Sequence, residues 1–187
     1  MISTGLWHEP QEPYAALAAF AASQPEAVSG AAAVFVGTMR SRDPQDSSQT
    51  SIVGMWLEHY PRMTGLQLES LARAVRHRHG LHAVLLQHRV GMVYPGETLV
   101  VIGTWAAHRE AAWTGCREIL ETVKTGVALW KKEFLANGSS RWVQAEGDRM
   151  SLAAMLRHEQ QGGADLRLTE MEHIDHSKEK RGGRGVS

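Results

Sequence analysis

Cysteine is almost absent from this 187-residue chain. Cys116 stands alone, so no internal disulfide can form, no thiolate metal site can be assembled, and a reducing compartment such as the cytoplasm is expected. Long apolar runs are absent too: nowhere do about 18 apolar residues follow one another, and the N-terminus lacks the basic-then-apolar order of a signal peptide. A membrane-spanning or exported protein is therefore not expected. Net charge is also missing, because 20 Lys+Arg cancel 20 Asp+Glu. The balance depends on the last dozen residues, where Lys178, Lys180, Arg181 and Arg184 face only Glu179 and leave the rest of the chain slightly acidic. A broad nucleic-acid-binding face needs clustered Lys and Arg on one surface and is disfavoured. HExxH, P-loop, GxGxxG and Ser-His-Asp arrangements are all lacking, which removes most familiar enzyme classes.

What is present is an ordinary globular composition, 43% hydrophobic and 21% charged. A core of about 150 residues buries roughly 70% of its unfolded surface and needs neither disulfide nor structural metal. We divide the chain into a domain over residues 1–147 and an extension over 148–187, the latter read as a short helix and then a disordered basic tail beyond Gly162-Gly163. Within the domain, Pro13 to Ser23 is an Ala-rich helix that starts with Pro. Ala31–Gly37 and Ser51–His59 read as strands joined by a polar loop. Pro61 opens a helix that closes at His79-Gly80. Ala83–Val90 and Thr98–Trp105 read as a hairpin across Tyr94-Pro95-Gly96-Glu97. Trp113, Cys116, Leu120 and Val123 mark the apolar seam of a helix from His108 to Lys124, and Arg141–Gln144 reads as a last strand. Uneven alternation of strands and helices, with neighbouring strands antiparallel, predicts an α+β fold.

The chemistry-bearing residues are bases at element ends. His108 and Arg109 fall where a helix begins, and free N–H groups with the positive dipole end favour an anion such as phosphate. The alternative is a capping His108 beside a solvated Arg109. Lys124, Lys131 and Lys132 lie at and beyond the far end of the same helix, and Gly126 predicts that this helix stops near Lys124. A lysine among cations or apolar walls can act as acid, base or nucleophile near neutral pH; otherwise the cluster simply complements the helix dipole. Arg40 and Arg42 follow a strand end at Gly37-Thr38-Met39. His77, His79 and His82 gather at a helix C-terminus and His173 and His176 lie in the tail; none makes a recognised metal motif. Cys116 on an apolar seam reads as a buried, inert thiol.

Several of these pieces occur together in an order we recognise. Gly30-Ala31 leads to Phe35-Val36-Gly37-Thr38-Met39-Arg40. Leu57-Glu58-His59-Tyr60 with Met63, His88-Arg89-Val90-Gly91 with Gly96-Glu97, and His108-Arg109 follow. Lys124, Trp130-Lys131-Lys132-Glu133 and Arg141-Trp142-Val143 complete the set. Over residues 30–143 the chain resembles the large, catalytic subunit of molybdopterin synthase. It departs from that family at Ala128, where a proline is usual, and at Ser41-Arg42-Asp43, where an asparagine often stands.

The resemblance implies a hammerhead α+β fold with a mainly antiparallel sheet. It implies a sulfur transferase of molybdenum cofactor biosynthesis that converts cyclic pyranopterin monophosphate to dithiolene-bearing molybdopterin. Sulfur would come from the C-terminal Gly-Gly thiocarboxylate of a small ubiquitin-like subunit, in a heterotetramer built on a homodimer of large subunits. No metal, bound cofactor, nucleic acid or membrane is implied. By the same resemblance Lys124 and Lys131 would be catalytic, and Thr38, Met39, Arg40, His108, Arg109, Lys132 and Glu133 would bind substrate or shape its pocket. The competing expectation is a non-catalytic phospho-ligand or partner-binding module on the same fold, with Ala128 as its support.

Overall fold

In the computed structural model, which describes residues 1–25, 28–42 and 50–143, the chain builds two four-stranded sheets. Most of the polar loop after Arg42 and the whole extension over 148–187 lie outside the described residues. The elements run β1 (Ile2–Trp7), α1 (Pro13–Ala22), β2 (Ala31–Thr38), β3 (Ile52–His59), α2 (Pro61–Arg78), β4 (Ala83–Arg89), β5 (Gly91–Val93), β6 (Thr98–Ala106), α3 (Arg109–Gly126), β7 (Leu129–Leu135) and β8 (Ser140–Val143). The first sheet has the order β1-β4-β6-β2 and the second β5-β3-β7-β8. Only β1 and β4 pair in parallel; the other pairings are antiparallel. No helix among the described residues is long and apolar enough to cross a membrane.

The first sheet is covered on both faces, which explains why β4 and β6 read as nearly continuous apolar runs. On one face α1 seats Leu17 and Phe20 against Trp7, Leu85, Val101 and Trp105. Leu68, Leu71 and Val75 of α2 and Ile119 of α3 are fully buried, as are Val84, Leu86 and Ile102 of the sheet. Each such side chain contributes about 1.5–3 kcal/mol relative to exposure. The second sheet buries Ile52, Met55, Leu57 and Val93 together with Met39. Helix α2 has Pro61 in its first turn and is followed by Gly80 at φ 59°, a left-handed position that suits glycine.

Five details differ from the sequence reading. Strands β1 and β7 were not expected. Strands β2 and β3 do not pair with each other but enter different sheets. The hairpin of β4 and β6 is real, yet β5 intervenes and pairs with β3. Helix α3 continues to Gly126. Its seam is Ala112, Cys116, Ile119 and Val123, while Trp113 is 68% exposed and points away from the core.

Candidate active site

Helix α3 and strand β7 are joined by Val127 and Ala128, and the two lysines of interest flank that connection. Lys124 is exposed in the last turn of α3, with its Nζ 3.7 Å from Glu121 Oε1. An exposed pair at that distance restrains it little, so Lys124 is free to meet a ligand. In β7, side-chain alternation separates the adjacent lysines. Lys131 and Glu133 pair across the sheet with buried Leu57 and Met55, on the inner face. Lys132 takes the outer face, opposite Trp56 and Trp142, with its ammonium 5.7 Å from the ring centroids of Phe134 and Trp142. It is held by cation–π contacts and does not share a face with Lys131.

Glu133 is the best-anchored polar group of the site. It is 4% exposed; Oε1 lies 3.3 Å from Lys131 Nζ, and Oε2 accepts a 3.0 Å hydrogen bond from Arg141 Nε on β8. Two bases flank the enclosed carboxylate, and it fixes where the Lys131 ammonium stands.

Arg40 follows β2 after an irregularity in pairing between Gly37 and Thr38. Met39 is buried, its N–H donates to Glu97 O and its carbonyl accepts from Gly96 N–H, both at 2.9 Å. Both backbone groups of Met39 are thus engaged, leaving it to place the exposed Arg40 rather than to touch a ligand. Glu97 is itself fixed, since its carboxylate accepts from Tyr94 N–H at 3.0 Å and lies 3.7 Å from the guanidinium of buried Arg89. Thr38 is exposed beside Arg40.

His108 and Arg109 are exposed where α3 begins. His108 has extended backbone angles and makes no side-chain cap bond, so its imidazole is not spent on the helix end. Helix α3 runs back along β6 and β2, with Thr104 Oγ1 of β6 donating to Ala112 O at 2.8 Å near the helix start. The 15 residues from Arg109 to Lys124 span about 22 Å. Strand β2, whose Ala31 pairs with Ala106, covers about 23 Å before Thr38. The bases therefore form two groups within one chain: Arg40, Lys124 and Lys131 lie toward one end of α3, and His108 and Arg109 lie at the other.

Other candidates are placed elsewhere. Burial pushes the Cys116 thiol up to about 11, with a bond to Thr104 only partly offsetting it, so it is not a nucleophile at neutral pH. His79 Nε2 lies 2.6 Å from Glu118 Oε2, and His82 Nδ1 lies 3.0 Å from Ser29 Oγ. Among the described residues no three His, Cys, Asp or Glu gather as a metal site; His173 and His176 lie outside them. Sequence reasoning assigned no role to two residues of α2 that reach the α3–β7 connection. Ala128 N–H donates to Gln67 Oε1 at 2.8 Å, and Thr64 Oγ1 donates to Ala128 O at 2.9 Å. Thr64 carried one signal, a polar residue on the buried helix face; Gln67 carried none.

With this geometry in hand, comparison with known proteins is specific. The family model described as MoaE protein matches residues 7–126. The molybdopterin synthase catalytic subunit of Pseudomonas aeruginosa is 40% identical over 131 residues, which are 70% of this chain and 83% of the relative. That of Haemophilus ducreyi is 34% identical over 131 residues, with the same coverage. The solved structure of the molybdopterin biosynthesis MoaE protein from Burkholderia ambifaria matches at a TM-score of 0.64 and 33% identity, covering 85% of this chain and 99% of that one. A Helicobacter pylori complex of subunits 1 and 2 of molybdopterin-converting factor includes a chain of the same fold, at a TM-score of 0.63 and 18% identity, covering 78% of this chain and 92% of that one. The chain belongs to the MoaE family, the catalytic subunits of molybdopterin synthase.

Proposed function

We propose that this chain catalyses the sulfur transfer that turns cyclic pyranopterin monophosphate into molybdopterin, with the C-terminal thiocarboxylate of a small ubiquitin-like subunit as sulfur source. The observation that carries the reading is the anchoring of Lys131 by the buried Glu133, across the Val127–Ala128 connection from the exposed Lys124 in the last turn of α3. Sulfur transfer from an acyl thiocarboxylate requires proton movement at the pterin and stabilisation of oxyanions as the acyl carbon exchanges sulfur for oxygen. Lys124, loosely held, meets the thiocarboxylate and the reacting pterin carbon. Lys131, firmly held, steadies developing negative charge. Arg40 offers a bidentate fork to the cyclic phosphate.

His108 and Arg109 suit the same anionic substrate but stand too far from Lys124 along α3 to reach it within one chain. In our reading a homodimer resolves this, with the α3 N-terminal end of a second copy completing each site and one small subunit docking at each end of the dimer. Such a heterotetramer makes each active site a shared one. The complex from Helicobacter pylori supports pairing with a second kind of subunit. We place the reaction in the cytoplasm, the reducing compartment that a lone cysteine suits. The non-catalytic alternative rested on Ala128; the two hydrogen bonds between α2 and the backbone of that residue favour an ordered connection there without a proline.

The test is single-turnover dithiolene formation with thiocarboxylated small subunit and precursor. Lys124→Ala abolishes product while folding and partner binding persist; undiminished product from this variant would refute the assignment. Arg109→Ala instead raises KM for the precursor about tenfold or more, as expected when a charge-assisted contact to a bound anion is lost.

A further inference from the structure

We infer that Gln67 is a positioning residue for the reaction, acting through the backbone of Ala128 to fix Lys124 and Lys131 relative to one another; this rests on the function proposed above. The connection between α3 and β7 has little of its own to define it. Gly126 ends the helix, Val127 is extended at φ −92° and ψ 142°, and β7 begins at Leu129. Four residues before Ala128 stands Lys124 and three residues after it stands Lys131, so any hinge motion at 128 changes the spacing of the two ammonium groups.

A third element closes that hinge. Thr64 and Gln67, one helical turn apart on α2, take both polar backbone groups of Ala128: Gln67 Oε1 accepts its N–H at 2.8 Å and Thr64 Oγ1 donates to its carbonyl at 2.9 Å. Thr64 is fully buried and also accepts from Tyr60 N–H at 3.2 Å, which locks its hydroxyl direction. Leu129 N–H donates to Val127 O at 2.8 Å, closing a three-residue turn centred on Ala128. The inverse form of that turn has its central φ near −75°, the region a proline ring imposes, and the residue before a proline prefers the extended conformation seen at Val127. A proline at 128 would stiffen the hinge covalently but would have no N–H to give Gln67. The glutamine does by hydrogen bonding what a ring would do by covalent geometry.

The experiment uses the full chain assembled with its thiocarboxylated small subunit. Gln67→Met keeps the side-chain length and removes the acceptor. It is expected to lower kcat on the order of tenfold, since misplacement of reacting groups by about 1 Å is enough for larger losses. KM for the precursor and the melting temperature stay close to those of the parent. Gln67→Glu keeps an acceptor and keeps kcat. Adding Ala128→Pro to Gln67→Met restores kcat to within about threefold of the parent, whereas the proline alone gains nothing. Parental kcat in Gln67→Met, or no recovery on adding the proline, overturns the inference. Amide exchange at Ala128, read on the same samples, separates this from the function itself. If Lys124→Ala turns over normally, the catalytic assignment falls, yet the latch still stands or falls on whether Gln67→Met exposes that amide.

Discussion

Glu133 shows how a single buried carboxylate organises cations around it. Lys131 and Arg141 are each about 40% exposed while Glu133 is almost fully enclosed, so removing the carboxylate leaves two bases that can partly turn to water. Breaking a fully buried pair costs about 3–5 kcal/mol; partial exposure of both partners brings the expected loss for Glu133→Ala to about 1–2 kcal/mol. Chemical denaturation should register that loss, and kcat should fall further than stability alone explains because the ammonium of Lys131 is no longer aimed. At this scale the sequence was informative about identity and poor about direction. The bases proposed to carry the chemistry stood out as an ordered set, but Lys131 and Lys132 looked equivalent, and nothing in the string of letters says that Met39 uses up both its backbone groups on Gly96 and Glu97.

Elements were legible where they carried local punctuation. Pro61 and Gly80 bracket α2 because each acts on its own residue, and β6 announces itself through a β-branched run. Strand β1 escaped notice because its partner β4 is some 80 residues away and its sequence, ISTGLW, has no clean alternation. Strand β7 escaped because its inner face carries an ion pair, Lys131 with Glu133, where the usual strand signal requires apolar residues. The start of β2 depends on a glycine for a physical reason. A Cβ on Gly30 would stand 2.4 Å from the carbonyl oxygen of Ala107, a backbone atom, while Gly30 N–H donates to Ala106 O at 3.0 Å. Gly30→Ala must push the β6–α3 turn, and with it His108, out of place. Overpacking of this kind costs about 1–3 kcal/mol, so a lowered melting temperature should accompany weakened precursor binding.

The whole molecule responds to pH through histidines that folding keeps neutral. Burial of the His88 ring lowers its pKa, with a bond to Arg89 O only partly opposing it. His59 is lowered by burial first and then by His8, whose ring centroid is 5.7 Å away. As pH falls below about 6.5, the unfolded chain takes up protons that the folded chain refuses, so stability is complete above that pH and declines beneath it. Melting temperatures recorded from pH 7 to pH 5 should fall, and His88→Gln should flatten the decline.

The length of α3 has a consequence for mixtures of defective proteins. In the dimer proposed above, one end of the helix supplies Lys124 to one site and the other end supplies His108 and Arg109 to its twin, so a Lys124→Ala chain and an Arg109→Ala chain are damaged in different halves of a shared site. Co-assembled, they form hybrids in which one site inherits both lesions and its twin inherits neither. At precursor concentrations well below the raised KM of the Arg109→Ala chain, random exchange should therefore restore about a quarter of all sites, so that two preparations impaired apart gain turnover together, as complementing alleles do.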